Sequence, residues 1–179
     1  LVFFPLRFFL KKKLNSWEDR YAEDNIIKCN KIDYRFDHLW KKNKYENKNK
    51  LLFYRDRKWL KWHLGHFLEK KKLWILLSVK NNKIDGYSIC IENNRHRDGL
   101  KRAYLIDLIS LDKRREVGIN LIGASIKEAK KRGCHIVEFR GFDKLQKSYI
   151  NFFKPFVKKL STNPFYYKSS NNKLDGILN

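Results

Sequence analysis

Methionine is absent from all 179 residues. A natural full-length product opens on Met, so the chain is read as a fragment or a processed protein. Cysteine is scarce: Cys29, Cys90 and Cys134 lie far apart and no Cys-x-x-Cys pair occurs. That excludes a cysteine zinc site and a disulfide framework, and points to small buried thiols in a reducing compartment, hence a cytoplasmic protein. No apolar run is long enough to cross a bilayer. The nearest is Leu1–Leu14, a short aromatic run with Pro5 and Arg7 inside it and three lysines after it. Charge after the apolar part is the wrong order for a signal peptide. An interfacial membrane helix, a helix packed on the domain and the tail of a preceding domain remain open.

Acidic residues are also few. Forty-one Lys and Arg face 19 Asp and Glu, for a net charge of +22. Such a balance suits a polyanionic partner or an anionic membrane surface. The lysines are scattered rather than blocked, and no aromatic ribonucleoprotein motif accompanies them. A compositional bias toward Lys and Asn accounts for the charge, and nucleic acid is not the expected partner. Hydrophobic residues at 42% and aromatics at 15% describe a globular chain. The length suits one domain over residues 24–179, preceded by the segment 1–23.

The organising stretch is Tyr104–Phe142. Tyr104–Leu111 is an apolar strand with one carboxylate, Asp107. A basic turn, Asp112–Asn120, follows. Apolar residues at helical spacing then run from Val117 to Arg132, and Gly133 is a helix stop. Cys134–Arg140 is a second strand ended by Gly141. Strand, helix and strand of these lengths predict a right-handed crossover with parallel strands. The helix opens near Glu116, beside Lys113, Arg114 and Arg115, and Gly118 removes a side chain where a ligand would meet backbone. Unpaired amides and a positive dipole end suit a phosphate. A solvated basic connection with a packing glycine is the alternative.

Upstream, Asp24–Ile32 reads as a short strand, and Asp33–Lys42 as an amphipathic helix burying Phe36, Leu39 and Trp40. Asn43–Lys50 reads as a polar loop. A further helix, Arg55–Gly65, has Asp56 as its cap and Gly65 as its stop. His63 and His66 find no third ligand at useful spacing, so no metal is expected. Leu73–Val79 and Ile84–Glu92 form a hairpin through Asn81-Asn82-Lys83, since Asn tolerates positive φ. Asp143–Phe153 is a late helix and Pro164–Ser169 a final strand.

Arg115-Glu116-Val117-Gly118-Ile119-Asn120 resembles the Arg/Gln-x-x-Gly-x-Gly/Ala segment of the GNAT superfamily of acyl-CoA-dependent N-acyltransferases, with Asn120 departing at the last position. The order helix, antiparallel strands, strand–helix–strand is also that of the superfamily. Phe36-Asp37-His38-Leu39-Trp40 and Tyr54–Trp62 resemble a GNAT-like group encoded with bacterial surface-polysaccharide genes, whose pattern is close to Arg-Asp-x-x-Tyr-Leu-x-Trp-Arg. Trp59 stands here for its Tyr and His63 for its last Arg. Many of that group look like tandem halves, and this chain would be the second. The resemblance covers roughly residues 33–170 and is strongest over 73–142.

The resemblance implies an α/β (α+β) fold: a mixed, mostly antiparallel sheet with one parallel β-α-β crossover and flanking helices. It implies acetyl-CoA or another acyl-CoA as co-substrate, held at Leu108, Ile109, Arg114, Arg115, Glu116, Val117, Gly118, Ile119 and Asn120. The acceptor would be an amine-bearing small molecule or sugar precursor, with a second GNAT-like domain as partner. Asp107 is a possible general base, on the expectation that a lone buried carboxylate has a raised pKa; a structural hydrogen-bonding role is the alternative, and Glu138 is a weaker base. In many GNAT enzymes a Tyr on the late helix protonates the leaving thiolate. Counted back from Phe156 that position is Asn151, so Tyr149 serves only if the alignment shifts, and is otherwise a packed aromatic. The expected reaction is direct attack by the amine. A non-catalytic half and a basic polyanion-binding module are the other readings.

Overall fold

The computed structural model describes residues 25–50, 52–93, 99–139 and 143–155. The Leu1–Leu14 run and the final strand expected at Pro164–Ser169 lie outside the described residues.

Among the described residues, five strands form one sheet in sequence order: β1 (Ile26–Cys29), β2 (Leu73–Lys80), β3 (Lys83–Asn93), β4 (Arg102–Ser110) and β5 (Ile136–Phe139). The first three pairings are antiparallel and β4–β5 is parallel, as a crossover requires. The β2–β3 turn is made by Asn81 and Asn82 with φ of 50° and 58°. Two consecutive positive φ values are those of a type I′ hairpin, which Asn accommodates.

Two helices cover one face: α1 (Arg35–Glu46) and α2 (Arg57–Glu69). Two cover the other: α3 (Arg115–Lys131), the crossover helix, and α4 (Lys144–Asn151). β2 alternates between the two cores. Leu73, Ile75 and Leu77 pack with Phe36, Leu39, Leu60 and Leu64, while Trp74 and Leu76 pack with Leu121, Ile122 and Tyr149. The mostly antiparallel α/β architecture is as expected.

Two boundaries differ from expectation. α1 runs through Glu46, a turn into the predicted loop, because Glu46 is tied into the structure by accepting from the Asp112 backbone N–H. α2 does not stop at Gly65. It continues to Glu69, with Leu60 and Leu64 buried and Leu68 packed against the core. A single glycine costs a helix about 1 kcal/mol against Ala, which this packing outweighs. Gly133, by contrast, does end α3, with φ of 73°. Asp56 caps α2 by accepting from the Trp59 N–H at 2.7 Å.

Gly86 decides how closely the sheet and α3 approach. A Cβ there would lie 2.7 Å from the Ile109 carbonyl oxygen and 2.8 Å from Val117 Cγ1. The buried hydroxyls of Ser88 and Ser125 meet at 2.8 Å in the same layer, and Ser125 donates back to the Leu121 carbonyl.

Candidate active site

The site begins with an irregularity in β4. Ile89 of β3 lies opposite Asp107, but its neighbour Cys90 lies opposite Leu105. Ile106 is the extra residue of a β-bulge, which bends a strand and re-aims the side chains beyond it. Leu105 and Leu108 consequently face the same core. The parallel ladder to β5 covers only Arg102–Leu105 against Ile136–Phe139.

Asp107 sits just past the bulge, but it is not the lone carboxylate expected from the sequence. Arg55 Nε donates to both its oxygens, at 3.0 and 2.8 Å. Tyr87 donates its hydroxyl to Oδ2 at 2.7 Å, and the Leu108 N–H donates to Oδ1 at 3.0 Å. The ion pair is largely shielded, with side-chain exposures of 25% for Arg55 and 13% for Asp107. Burial alone would lower the Arg55 pKa; the charge of Asp107, the neighbouring Tyr87 and the hydrogen bond to Asp107 together outweigh it and raise it. Burial, and then the neighbouring carboxylate, push the Tyr87 phenol well above its ordinary range. Glu138, the weaker base candidate, accepts from Arg102 Nη1 at 2.8 Å.

The second part of the site is the turn after β4. A 3-10 turn, Leu111–Lys113, leads into α3 with Asp112 and Lys113 at φ of 56° and 50°. Arg114 is the extended N-cap residue, and no side chain caps the helix. Its carbonyl accepts from the Gly118 N–H at 3.3 Å. The amides of Arg115, Glu116 and Val117 precede the first residue that can find an intrahelical partner. They are the anion-binding feature that the turn offers. A basic hollow of about 410 Å³, lined in part by Lys48, Lys50 and Lys113, adjoins it.

The expected cofactor residues divide by what they expose. Arg115 and Glu116 are exposed, Arg114 and Asn120 half-buried, and Leu108, Ile109, Val117, Gly118 and Ile119 buried, so these five can contribute backbone only. The Arg114 guanidinium is turned onto the Asp85 carboxylate rather than toward the turn. The edge of β4 is also engaged: Gln146 Nε2 donates to the Leu108 carbonyl at 2.7 Å.

Gly118 has a different physical reason from the one the sequence suggests. A Cβ there would lie 2.3 Å from Tyr149 Cδ2, so the missing side chain makes room for the Tyr149 ring. Tyr149 is 1% exposed. Its hydroxyl lies 3.4 Å from Ser110 Oγ and 3.3 Å from the Lys113 carbonyl, which joins the late helix to the turn. Asn151, the position reached by counting back from Phe156, is exposed. The structure therefore brings Tyr149 to the turn and Asp107 to the bulge.

Arg55, Tyr87, Asp85 and Gln146 are the partners that sequence reasoning did not assign. Arg55 was visible as the Arg of the Arg-Asp pattern, but nothing in the pattern names its partner 52 residues on. Segment 52–56, which delivers it, also walls an open groove of about 470 Å³ lined by Phe53, Tyr54, Trp59 and Trp62. Trp62 is 80% exposed. Among the described residues, no group of three His, Cys, Asp or Glu could hold a metal ion, and no helix is long and apolar enough to cross a membrane.

Antiparallel strands, a bulged β4, a parallel β5 and a crossover helix opening on a basic turn together form the GNAT fold. Several solved structures of like fold are acetyltransferases. An aminoglycoside acetyltransferase from an uncultured soil metagenomic sample, crystallised with sisomicin, superposes with a TM-score of 0.59 at 20% identity, over 83% of this chain and 100% of that one. A predicted acetyltransferase from Clostridium acetobutylicum, crystallised with acetyl-CoA, gives 0.57 at 17% identity, over 78% and 95%. Glucosamine-6-phosphate N-acetyltransferase from Arabidopsis thaliana gives 0.57 at 10%, over 80% and 100%. At these identities the likeness is one of fold. No family model matches the chain, and no curated protein matches its sequence.

Proposed function

We propose that this chain transfers an acyl group from an acyl-CoA, acetyl-CoA in the simplest case, to a primary amine. The observation that carries the reading is an uncapped helix N-terminus that follows directly on β4, the strand paired in parallel with β5. Within this reading the amides of Arg115–Val117 hold the pyrophosphate, and the β4 edge around Leu108 and Ile109 lies along the rest of the co-substrate. The amine nitrogen attacks the thioester carbonyl, the C–N bond forms, the C–S bond breaks and the sulfur leaves as thiolate. The nitrogen gives up one proton, which the thiolate takes up directly or through solvent. Among the described residues no side chain pairs a nucleophile with a base, in keeping with a direct transfer. Asp107 lies at the bulge, and Tyr149 serves the turn. The acceptor we favour is an amine-bearing small molecule or sugar precursor, in keeping with the aminoglycoside and glucosamine-phosphate enzymes of like fold. A cytoplasmic location fits a reaction that draws on acyl-CoA.

A second reading is favoured by one observation. The Leu108 carbonyl, on the edge that would meet the co-substrate, is already taken by Gln146. That suits a non-catalytic half of a tandem protein, of the kind encoded with surface-polysaccharide genes.

A thermal-shift titration separates the two. A ligand bound only by the folded state at a hundred times its Kd stabilises by about 2.7 kcal/mol. Stabilisation by acetyl-CoA and coenzyme A, and none by ATP, is the expected result. No shift with either coenzyme A compound would leave the non-catalytic reading. Salt-sensitive binding to nucleic acid in its place would indicate a polyanion module.

A further inference from the structure

We infer that the outer face of α2, with the segment 52–56 before it, docks on an anionic membrane surface. The inference does not depend on the acyl-transfer reading.

The groove of about 470 Å³ beside α2 is rimmed by aromatic rings that meet solvent. Trp62 is 80% exposed, Phe53 72% and Tyr54 61%. Large apolar groups gathered on one exposed face mark a contact surface, whereas single ones do not. The rings are also held in place. Trp59 stacks on His63 with ring centres 4.7 Å apart, and Tyr54 lies 6.2 Å from the buried Trp40. Arg55 ties the segment to Asp107 at 2.8 Å. A surface already ordered loses little freedom on docking.

The charge around these rings is one-sided. α2 carries Arg57, Lys58 and Lys61 against one acidic residue, Glu69, and Lys70, Lys71 and Lys72 follow it directly. The five lysines and Glu69 are exposed. Asp56 caps the helix, and Asp37 pairs with Arg57 at 3.4 Å. Six cations thus stand against three carboxylates, an excess of three positive charges.

Rings of this kind beside lysines suit a bilayer interface. Trp and Tyr sit at headgroup level, ring toward the acyl chains and N–H or O–H toward water. Each lysine close to an anionic membrane strengthens binding by about fivefold. Other occupants fit less well. Protein–protein interfaces are depleted in Lys. A second copy docked through the same face would set lysines against lysines. A nucleic-acid strand needs cations along its groove, and this groove is lined by one lysine, Lys58, with the Asp56 carboxylate beside it.

The test is cosedimentation of the full chain with vesicles of phosphatidylcholine, alone or mixed equally with phosphatidylglycerol. Binding to the anionic vesicles, little to the neutral ones, and weakening by salt are expected. Phe53→Ser with Trp62→Ser should lower that binding at least about tenfold, by removing apolar surface from the interface. Lys58→Gln with Lys61→Gln should lower it about twentyfold. Lys144→Gln with Lys147→Gln makes the same charge change on α4, across the sheet, and should leave binding nearly unchanged. Thermal melts check that each variant folds; because both rings are exposed, the single substitutions serve if the aromatic pair does not. Absence of binding to anionic vesicles overturns the inference. So does an equal loss from the two lysine pairs, which would make the effect one of net charge. Undiminished binding of the folded aromatic variants, with loss only on deleting residues 1–14, overturns it as well. Tighter binding to a single-stranded oligonucleotide than to vesicles, lost in the same variants, replaces the membrane with a nucleic acid.

Discussion

Adding one methyl group at Gly118 tests what that glycine is for. In Gly118→Ala the new Cβ would lie 2.3, 2.5 and 2.9 Å from Tyr149 Cδ2, Cε2 and Cγ. Carbon atoms at optimal contact are about 3.5–4.0 Å apart, so the ring must retreat by about 1 Å. It has nowhere free to go, being 1% exposed and packed in the core with Ile150 and Phe153. Overpacking of this kind costs about 1–3 kcal/mol. Ala regains about 1 kcal/mol of helix propensity over Gly. With a rigid ring on one side, the net destabilisation should be about 1–2 kcal/mol. Tyr149→Leu removes the obstacle. In that background the methyl fills part of the vacated space, and Gly118→Ala should become neutral or stabilising by up to about 1 kcal/mol. Urea unfolding of the four proteins measures the cycle. The same destabilisation in both backgrounds would refute the packing account and return Gly118 to the role of a ligand-approach site.

Four further outcomes are expected. Gly86→Ala places a Cβ 2.7 Å from a backbone oxygen, which moves less readily than a side chain, so a loss of about 1–3 kcal/mol should appear in the same urea assay. Asp56→Ala removes the α2 cap and should cost about 1 kcal/mol, with Asp56→Asn largely restoring it. The Cys90 thiol is pushed up to about 12 by burial, well above the pKa of about 8.5 of an exposed thiol. The native state thus holds a proton that the unfolded state loses, and Cys90 should contribute a fall in stability of about 1.4 kcal/mol per pH unit from roughly pH 9 toward 12, a contribution that Cys90→Ala should remove. Asp33 is shifted the opposite way: the Arg35 guanidinium hydrogen-bonded to it holds its pKa below the ordinary carboxylate value. Its stabilisation is therefore present above about pH 4 and lost as pH falls through the lowered value, and Arg35→Ala should flatten that acid limb in pH-dependent melting.

Local pattern was enough for most of the elements. Asn81 and Asn82 tolerate the two positive φ values that close the hairpin, and Asp56 supplies its own cap. The strand–helix–strand run from β4 to β5 follows from apolar spacing and Gly133. These features depend on residues a few positions apart, which is the range over which side chain and backbone constrain each other. Where local rules competed with packing, packing won. Gly65 is a good stop signal, yet α2 passes through it because Leu64 and Leu68 have a core to enter.

The site was legible only in outline. The uncapped start of α3 and its basic residues can be read from the chain, as can the presence of one carboxylate in β4. Whether that carboxylate is free cannot, because its partners come from a loop 52 residues upstream and a strand 20 residues upstream. Arg114 looks like a phosphate ligand until β3 brings Asp85 to it, and Gly118 like an opening until α4 lays Tyr149 over it. Hydrophobic period and turn chemistry act along the chain and therefore determined the elements and their order. The charge state and accessibility of the site depend on which side chains meet across the sheet, and only the tertiary structure decided that.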